Sequence, residues 1–245
     1  RKTHIQDSMP IHTAVTALRP RAPHAVALRS AERGQWLVRD EAIMGTAIHV
    51  ELWSDDLASG RAAADTVIQE MHRIDRAMSP YKQDSELSRI NRRAFEAPVP
   101  ASHEMFTLLQ RAAQFSDLSD GAFDITYAAV GHLYDYRRGV LPAPADLERA
   151  RQAVGYRNLL LDADSRSVRF AREGMRIDLG GFAKGHAVDC CVALLRECGI
   201  AHAMVSAGGD SRVIGDRRGR PWTVAVRDPR REDAIVAVVP LEDTS

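Results

Sequence analysis

In the stretch IDLGGFAKGHAVD, from Ile177 to Asp189, a carboxylate, a glycine pair and an amine fall close together. Gly180 and Gly181 carry no Cβ, so backbone there can approach a ligand closely. The helix they introduce presents unpaired N–H groups and the positive end of its dipole, which favours an anion such as a phosphate. Lys184, in the first turns of that helix, adds a point charge. Asp178, which ends an apolar strand-like run, can accept hydrogen bonds from ligand hydroxyls or help hold a cation. A capped strand-to-helix turn with a surface lysine fits the same letters. Of the 33 basic residues only Lys2, Lys82 and Lys184 are lysine, so Lys184 stands where this chain usually carries arginine.

Other stretches offer weaker chemistry. AGGD (Ala207–Asp210) is a second close backbone approach or a glycine hairpin turn. Neither glycine stretch is a GxGxxG, which argues against a Rossmann dinucleotide fold. In GAFDITYAA, Asp124 sits among apolar residues and either caps a helix or reaches a ligand. SPYKQDSELSRIN carries Tyr81 on a loop, where its ring is half-buried or stacks on a flat ligand. IMGT puts Met44 at the start of a strand. The nine histidines form no HExxH or other close ligand pair, and His186 is expected at the surface. No G-x-S-x-G occurs. The charged turns DRRGR and RDPRRED read as solvated loops.

Several elements must position these residues. Ile43–Leu52 alternates, with Thr46, Ile48, Val50 and Leu52 on one side and Ala47, His49 and Glu51 on the other, as in a half-buried strand. Val67, Met71, Ile74 and Met78 make one stripe of a helix, ended by Ser79-Pro80. Asp84 or Ser85 caps a short helix through Asn91. Ser102 to about Ser119 and Asp146–Val154 are further helices. NLLLDADSRSVRF is a hairpin turning at Asp162–Arg166. Val188, Cys191, Val192, Leu195 and Cys198 form a helix stripe that Gly199 stops. HAMVSAGGDSRVIG is strand, turn, strand, and PWTVAVRDP and AIVAVVPL add two more. Strands and helices mix without a βαβ repeat, so the class is α+β.

Composition bounds the rest. Hydrophobic residues make up 45% of 245, enough for a core. Formal net charge is zero, so no global field favours nucleic acid. No apolar run reaches membrane-span length. The three cysteines, Cys190, Cys191 and Cys198, have no metal or disulfide spacing and read as small buried side chains on one helix. Residues 1–40 read as an irregular arm, with Gln35–Arg39 a possible first strand, and show no signal segment. Residues 41–245 read as the domain.

The order of the motifs IMGT, SPYKQDSELSRIN, GAFDIT, IDLGGFAKGHAVD, AGGD and PWTVAVRDP resembles that of the ApbE-like flavin transferase family (FAD:protein FMN transferase). The likeness runs from Ile43 to Ser245. It implies a T-fold-like α+β architecture with mostly antiparallel sheet. It implies an enzyme that uses Mg²⁺, takes FAD as substrate and transfers FMN to a threonine hydroxyl of an acceptor protein, releasing AMP. Acceptors carry a D-x-x-S/T-x-A-T-type sequence in quinone reductase or electron-transfer subunits. By the same resemblance Met44, Tyr81, Ala122, Phe123 and Asp124 match FAD contacts. Asp178 and Lys184 match flavin-nucleotide contacts and are the candidate catalytic residues. Gly181 matches a metal position, here through its carbonyl. Family members are commonly exported to the periplasmic side of the inner membrane, although a cytoplasmic form stays open without a visible signal.

The family continues past the equivalent of Ser245 with further metal-site residues. The domain is therefore expected to be incomplete at its C-terminus. Three other readings share these residues: an FAD pyrophosphatase, a non-catalytic flavin-binding module, and an α+β domain whose motifs are structural turns.

Overall fold

A computed structural model describes residues 34–135 and 138–244. In chain order the strands are β1 (Gln35–Ile43), β2 (Thr46–Ser54), β3 (Val99–Pro100), β4 (Leu159–Asp162), β5 (Ser167–Phe170), β6 (Ala203–Ala207), β7 (Asp210–Ile214), β8 (Trp222–Asp228) and β9 (Arg231–Leu241). The α-helices are α1 (Leu57–Met78), α2 (Glu86–Arg93), α3 (His103–Leu118), α4 (Ala128–Gly131), α5 (Pro144–Arg151) and α6 (Ala183–Glu197). All strand pairs are antiparallel, as the α+β reading expects. The described residues divide into two compact units, 34–71 with 184–244, and 72–135 with 138–183. Helix α1 crosses that division.

The first unit is built on a sheet of order β1-β2-β6-β7. Ile48, Val50 and Leu52 are fully buried, as the alternation requires. The first strand read within Gln35–Arg39 is present and runs on to Ile43 as β1, while residues 1–33 lie outside the described region. The hairpin between β1 and β2 closes with Ile43 paired to Thr46. Met44 is therefore not at a strand start. It occupies the turn with Gly45, at φ of 55° and 70°, the signature of a type I′ hairpin.

Glu51 also departs from expectation. The alternation puts it on the solvent side, yet it is 6% exposed. Its strand face is covered by Met204, Val213 and Trp222, with Trp36, Val224 and Leu241 packed around them. Arg217 answers the buried carboxylate with two bonds of 2.6 and 3.1 Å. The same guanidinium lies over the rings of Trp36 and Trp222. DRRGR is thus a structural clasp at Arg217 and not wholly a solvated turn. The expected cysteine stripe also ends early: Cys191 is buried, Cys190 half-buried, and Cys198 exposed beyond α6. Among the described residues, no helix is long and apolar enough to cross a membrane.

The second unit holds α2 to α5 and a sheet of order β3-β5-β4. Ser85, not Asp84, caps α2: its hydroxyl accepts from Ser88 N at 3.0 Å and donates to Ser79 O at 2.7 Å. Ser102 caps α3 by accepting from Met105 N, and Glu86 of α2 receives both the N–H and the hydroxyl of Ser102. Glu86, in the first turn of α2, thus ties the starts of the two helices together. The β4–β5 hairpin turns where expected, with Asp162 paired to Ser167.

Candidate functional site

Each unit presents motif residues, and they are described in turn. In the second unit, GAFDIT and the first half of IDLGGFAKGHAVD lie side by side. Asp178 N–H donates to Ile125 O at 3.0 Å. A Cβ on Gly181 would sit 3.4 Å from Phe123 Cε2, so the missing side chain lets this turn pass close to the phenyl ring. Phe123 packs edge-on against Phe115 and Phe182, with centroids 6.4 and 5.4 Å away. Phe115 is 40% exposed, which leaves this aromatic group open at one side. Ala122 is exposed beside it.

Asp124 proves to be the cap that one of its two readings expected. Its Oδ1 accepts from the N–H and the hydroxyl of Thr126, at 2.7 and 2.6 Å. Its Oδ2 accepts from Tyr156 N at 3.0 Å. The Thr126 hydroxyl in turn accepts from Gly155 N. Burial pushes the Tyr156 phenol above its ordinary ionisation range. A half-buried carboxylate so engaged fixes the loop that carries Ala122 and Phe123.

The run before Asp178 is extended, but it is not a strand. Met175, Ile177 and Leu179 are buried, yet no neighbouring strand pairs with them. The side chain of Asn91 replaces that neighbour, accepting from Ile177 N at 2.8 Å and donating to Ile177 O at 2.9 Å. Asp178 Oδ1 then accepts from Gly180 N at 2.6 Å, and Phe182 N and Ala183 N both donate to Leu179 O. The chain is thereby wound into the start of α6. Asp178 Oδ2 has no hydrogen-bond partner among the described residues. Tyr81, elsewhere in this unit, is 93% exposed, so its ring faces are free to stack on a planar ligand.

In the first unit, IMGT and AGGD meet. Gly208 N–H donates to Ala47 O at 3.1 Å, and Ile48 pairs with Ala207. Gly208 has φ of 59°, and a Cβ there would collide with Thr46, so glycine is required on both counts. Lys184 lies in the first turn of α6, half-buried and without an ion-pair partner among the described residues. A cation at a helix start is opposed by the helix dipole unless an anion binds there. Asp189, one turn further on, is held by Arg212 at 2.6 Å.

Sequence reasoning missed Asn91, Phe115, Phe182 and the proximity of His186 to Cys190. His186 is half-buried, with Nε2 3.5 Å from Cys190 Sγ. The four-residue spacing on one helix was the available signal. Asn91 could have been noticed as a polar residue next to buried Ile90 and four after buried Leu87.

Antiparallel sheets with glycine turns at their ends, and a carboxylate–glycine turn that opens a helix, define an α+β protein. The sequence profile of the ApbE family matches residues 44–245, and the chain belongs to that family. It is 28% identical over 192 residues to the FAD:protein FMN transferase of Vibrio cholerae, covering 76% of this chain and 57% of that one. It is 30% identical over 208 residues to the protein of the same name from Treponema pallidum, covering 78% and 58%. The chain thus spans well under two thirds of the length of these relatives. The crystal structure of the ApbE protein of Thermotoga maritima superposes with a TM-score of 0.78 at 30% identity, covering 85% of this chain and 68% of that one.

Proposed function

We propose that this chain carries the flavin-binding part of an FAD:protein FMN transferase. The observation that carries the reading is the bond from Asp178 N to Ile125 O. It sets the Asp178–Gly181 turn beside the Phe123 loop. There a ring system can rest on aromatic side chains, while a phosphate can approach the turn closely, with no Cβ on Gly180 or Gly181 to shield the backbone. Tyr81 adds an exposed ring in the same unit. The parts assigned to Met44 and Lys184, in the first unit, rest on the resemblance.

In the proposed reaction the oxygen of an acceptor threonine forms a bond to the FMN phosphorus. The bond from that phosphorus to the bridging oxygen breaks, AMP departs with that oxygen, and the hydroxyl proton is lost. Such transfers depend on positioning and charge neutralisation more than on covalent help. Lys184 would neutralise phosphate charge, and Asp178 would orient the nucleotide.

The donor atoms at the turn suit magnesium in kind. Asp178 Oδ2 and the Gly181 carbonyl are hard oxygens, the type Mg²⁺ takes, and phosphates and water commonly complete its shell. When bound, the ion would supply charge neutralisation at the phosphate oxygens.

The test uses protein from the full reading frame, FAD, Mg²⁺ and an acceptor peptide, with Lys184→Ala and Asp178→Ala as controls. AMP release together with a flavin adduct on the peptide threonine is expected. AMP without adduct would favour a pyrophosphatase. Bound FAD without AMP would leave a flavin-binding module.

A further inference from the structure

The segment Met175–Leu179 has the burial alternation of a strand without a strand beside it. Met175 and Arg176 border an open groove of about 950 Å³ that Asn91 also lines. Two tethers therefore fix the backbone just ahead of the glycine turn. One is the bond from Asp178 N to Ile125 O. The other is the pair of bonds between the Asn91 side chain and Ile177, two residues 86 positions apart in the chain.

We infer that Asn91 is the positioning residue of the Asp178–Gly181 turn, holding it in the geometry that receives the flavin nucleotide. The inference rests on the flavin reading above. A carboxamide is the side-chain copy of a peptide group, with one acceptor and one donor side by side. Here Oδ1 faces an N–H and Nδ2 faces a C=O, so a single orientation of the amide satisfies both. Aspartate lacks the donor, and alanine lacks both groups. The amide is delivered from α2, which is itself anchored by buried Leu87 and Ile90 and capped by buried Ser85. A shift of Ile177 is passed directly to Asp178. Through the bond from Gly180 N to Asp178 Oδ1 it is passed on to the glycine backbone. One amide thus governs the carboxylate and the backbone of the turn together.

The experiment compares wild type, Asn91→Ala and Asn91→Asp, expressed from the full reading frame. It reads FAD dissociation constants by flavin fluorescence, KM and kcat for AMP release, and thermal midpoints. Asn91→Ala is expected to weaken FAD binding about tenfold or more, since small misplacements of binding groups carry costs of that order. Asn91→Asp supplies the second arm, whether or not the alanine variant folds. Its carboxylate repels Ile177 O at neutral pH. On acidification the protonated acid regains a donor, so FAD affinity relative to wild type should recover. Folded variants with lower thermal midpoints but wild-type FAD affinity and KM would overturn the inference, leaving Asn91 as scaffold. So would an Asn91→Asp affinity ratio that does not change with pH. Wild-type protein that fails to bind FAD would overturn the flavin reading, and this inference with it. Wild-type binding alongside unaffected variants would overturn the inference alone.

Discussion

Asp124 holds Thr126 twice, through its backbone N–H at 2.7 Å and its hydroxyl at 2.6 Å, both on one carboxylate oxygen. Thr126 is fully buried, and the second carboxylate oxygen is taken by Tyr156 N. Replacing Asp124 by alanine strands several buried donors at once. Asp124→Ala is expected to cost about 3 kcal/mol in urea unfolding, since each buried group left unpaired carries a penalty. Asp124→Asn should fall between, because its oxygen can still serve Thr126 while its amide opposes Tyr156 N–H. Equal stability of all three would remove the structural role assigned to this residue.

A second network can be tested in the other unit. The Glu51 side chain is 8% exposed and faces the Arg217 fork. Arg217→Ala leaves a buried carboxylate alone, at an expected cost of about 3 kcal/mol. Arg217→Lys should recover little of it, because an ammonium neither pairs through two parallel bonds nor stacks as a plane on Trp36 and Trp222. Denaturant midpoints of the two variants provide the check.

These two networks show which parts of the chain were legible in its letters. Strands and helices with one apolar face were readable: Ile48, Val50 and Leu52 are buried as their alternation requires. The caps at Ser85 and Ser102 were readable because their side chains act within three residues. Glu51 was misplaced because a second layer, carried by Trp222, covers the face that alternation assigns to solvent. Asn91 went unseen for a related reason, since its partner Ile177 lies 86 residues away. For the site, motif order was visible, whereas the contact between the Phe123 loop and the Gly181 turn is a tertiary fact.

Acid should loosen the start of α1. The Asp56 carboxylate accepts from Ser59 N at 2.8 Å, and this bond lowers its pKa below the ordinary 3.8. A lowered folded-state pKa means the stabilisation is present above the unfolded value. It is lost as pH falls through the folded value. Wild type should therefore lose more stability than Asp56→Asn between pH 5 and pH 3, where asparagine keeps a neutral cap throughout. Thermal midpoints at the two pH values decide it. A steeper acid loss in the asparagine variant would contradict the assigned sign.

The turn residue Met44 joins strain to the proposed function. It adopts φ of 55° beside Gly45 at 70°, a conformation that suits asparagine far better than methionine at the first position of a type I′ turn. Met44→Asn should stabilise the protein by about 1 kcal/mol, the order of the left-handed penalty for an ordinary side chain. Stability alone therefore gives no reason for methionine here. Under the flavin transferase reading Met44 stands at an FAD-contact position, and the strain is retained for that contact. The variant should then melt higher while binding FAD more weakly. A higher melting point with unchanged FAD affinity would take Met44 out of the flavin site. An unchanged melting point would mean that the left-handed turn is not strained by its methionine. Thermal unfolding and flavin fluorescence on one preparation separate these outcomes.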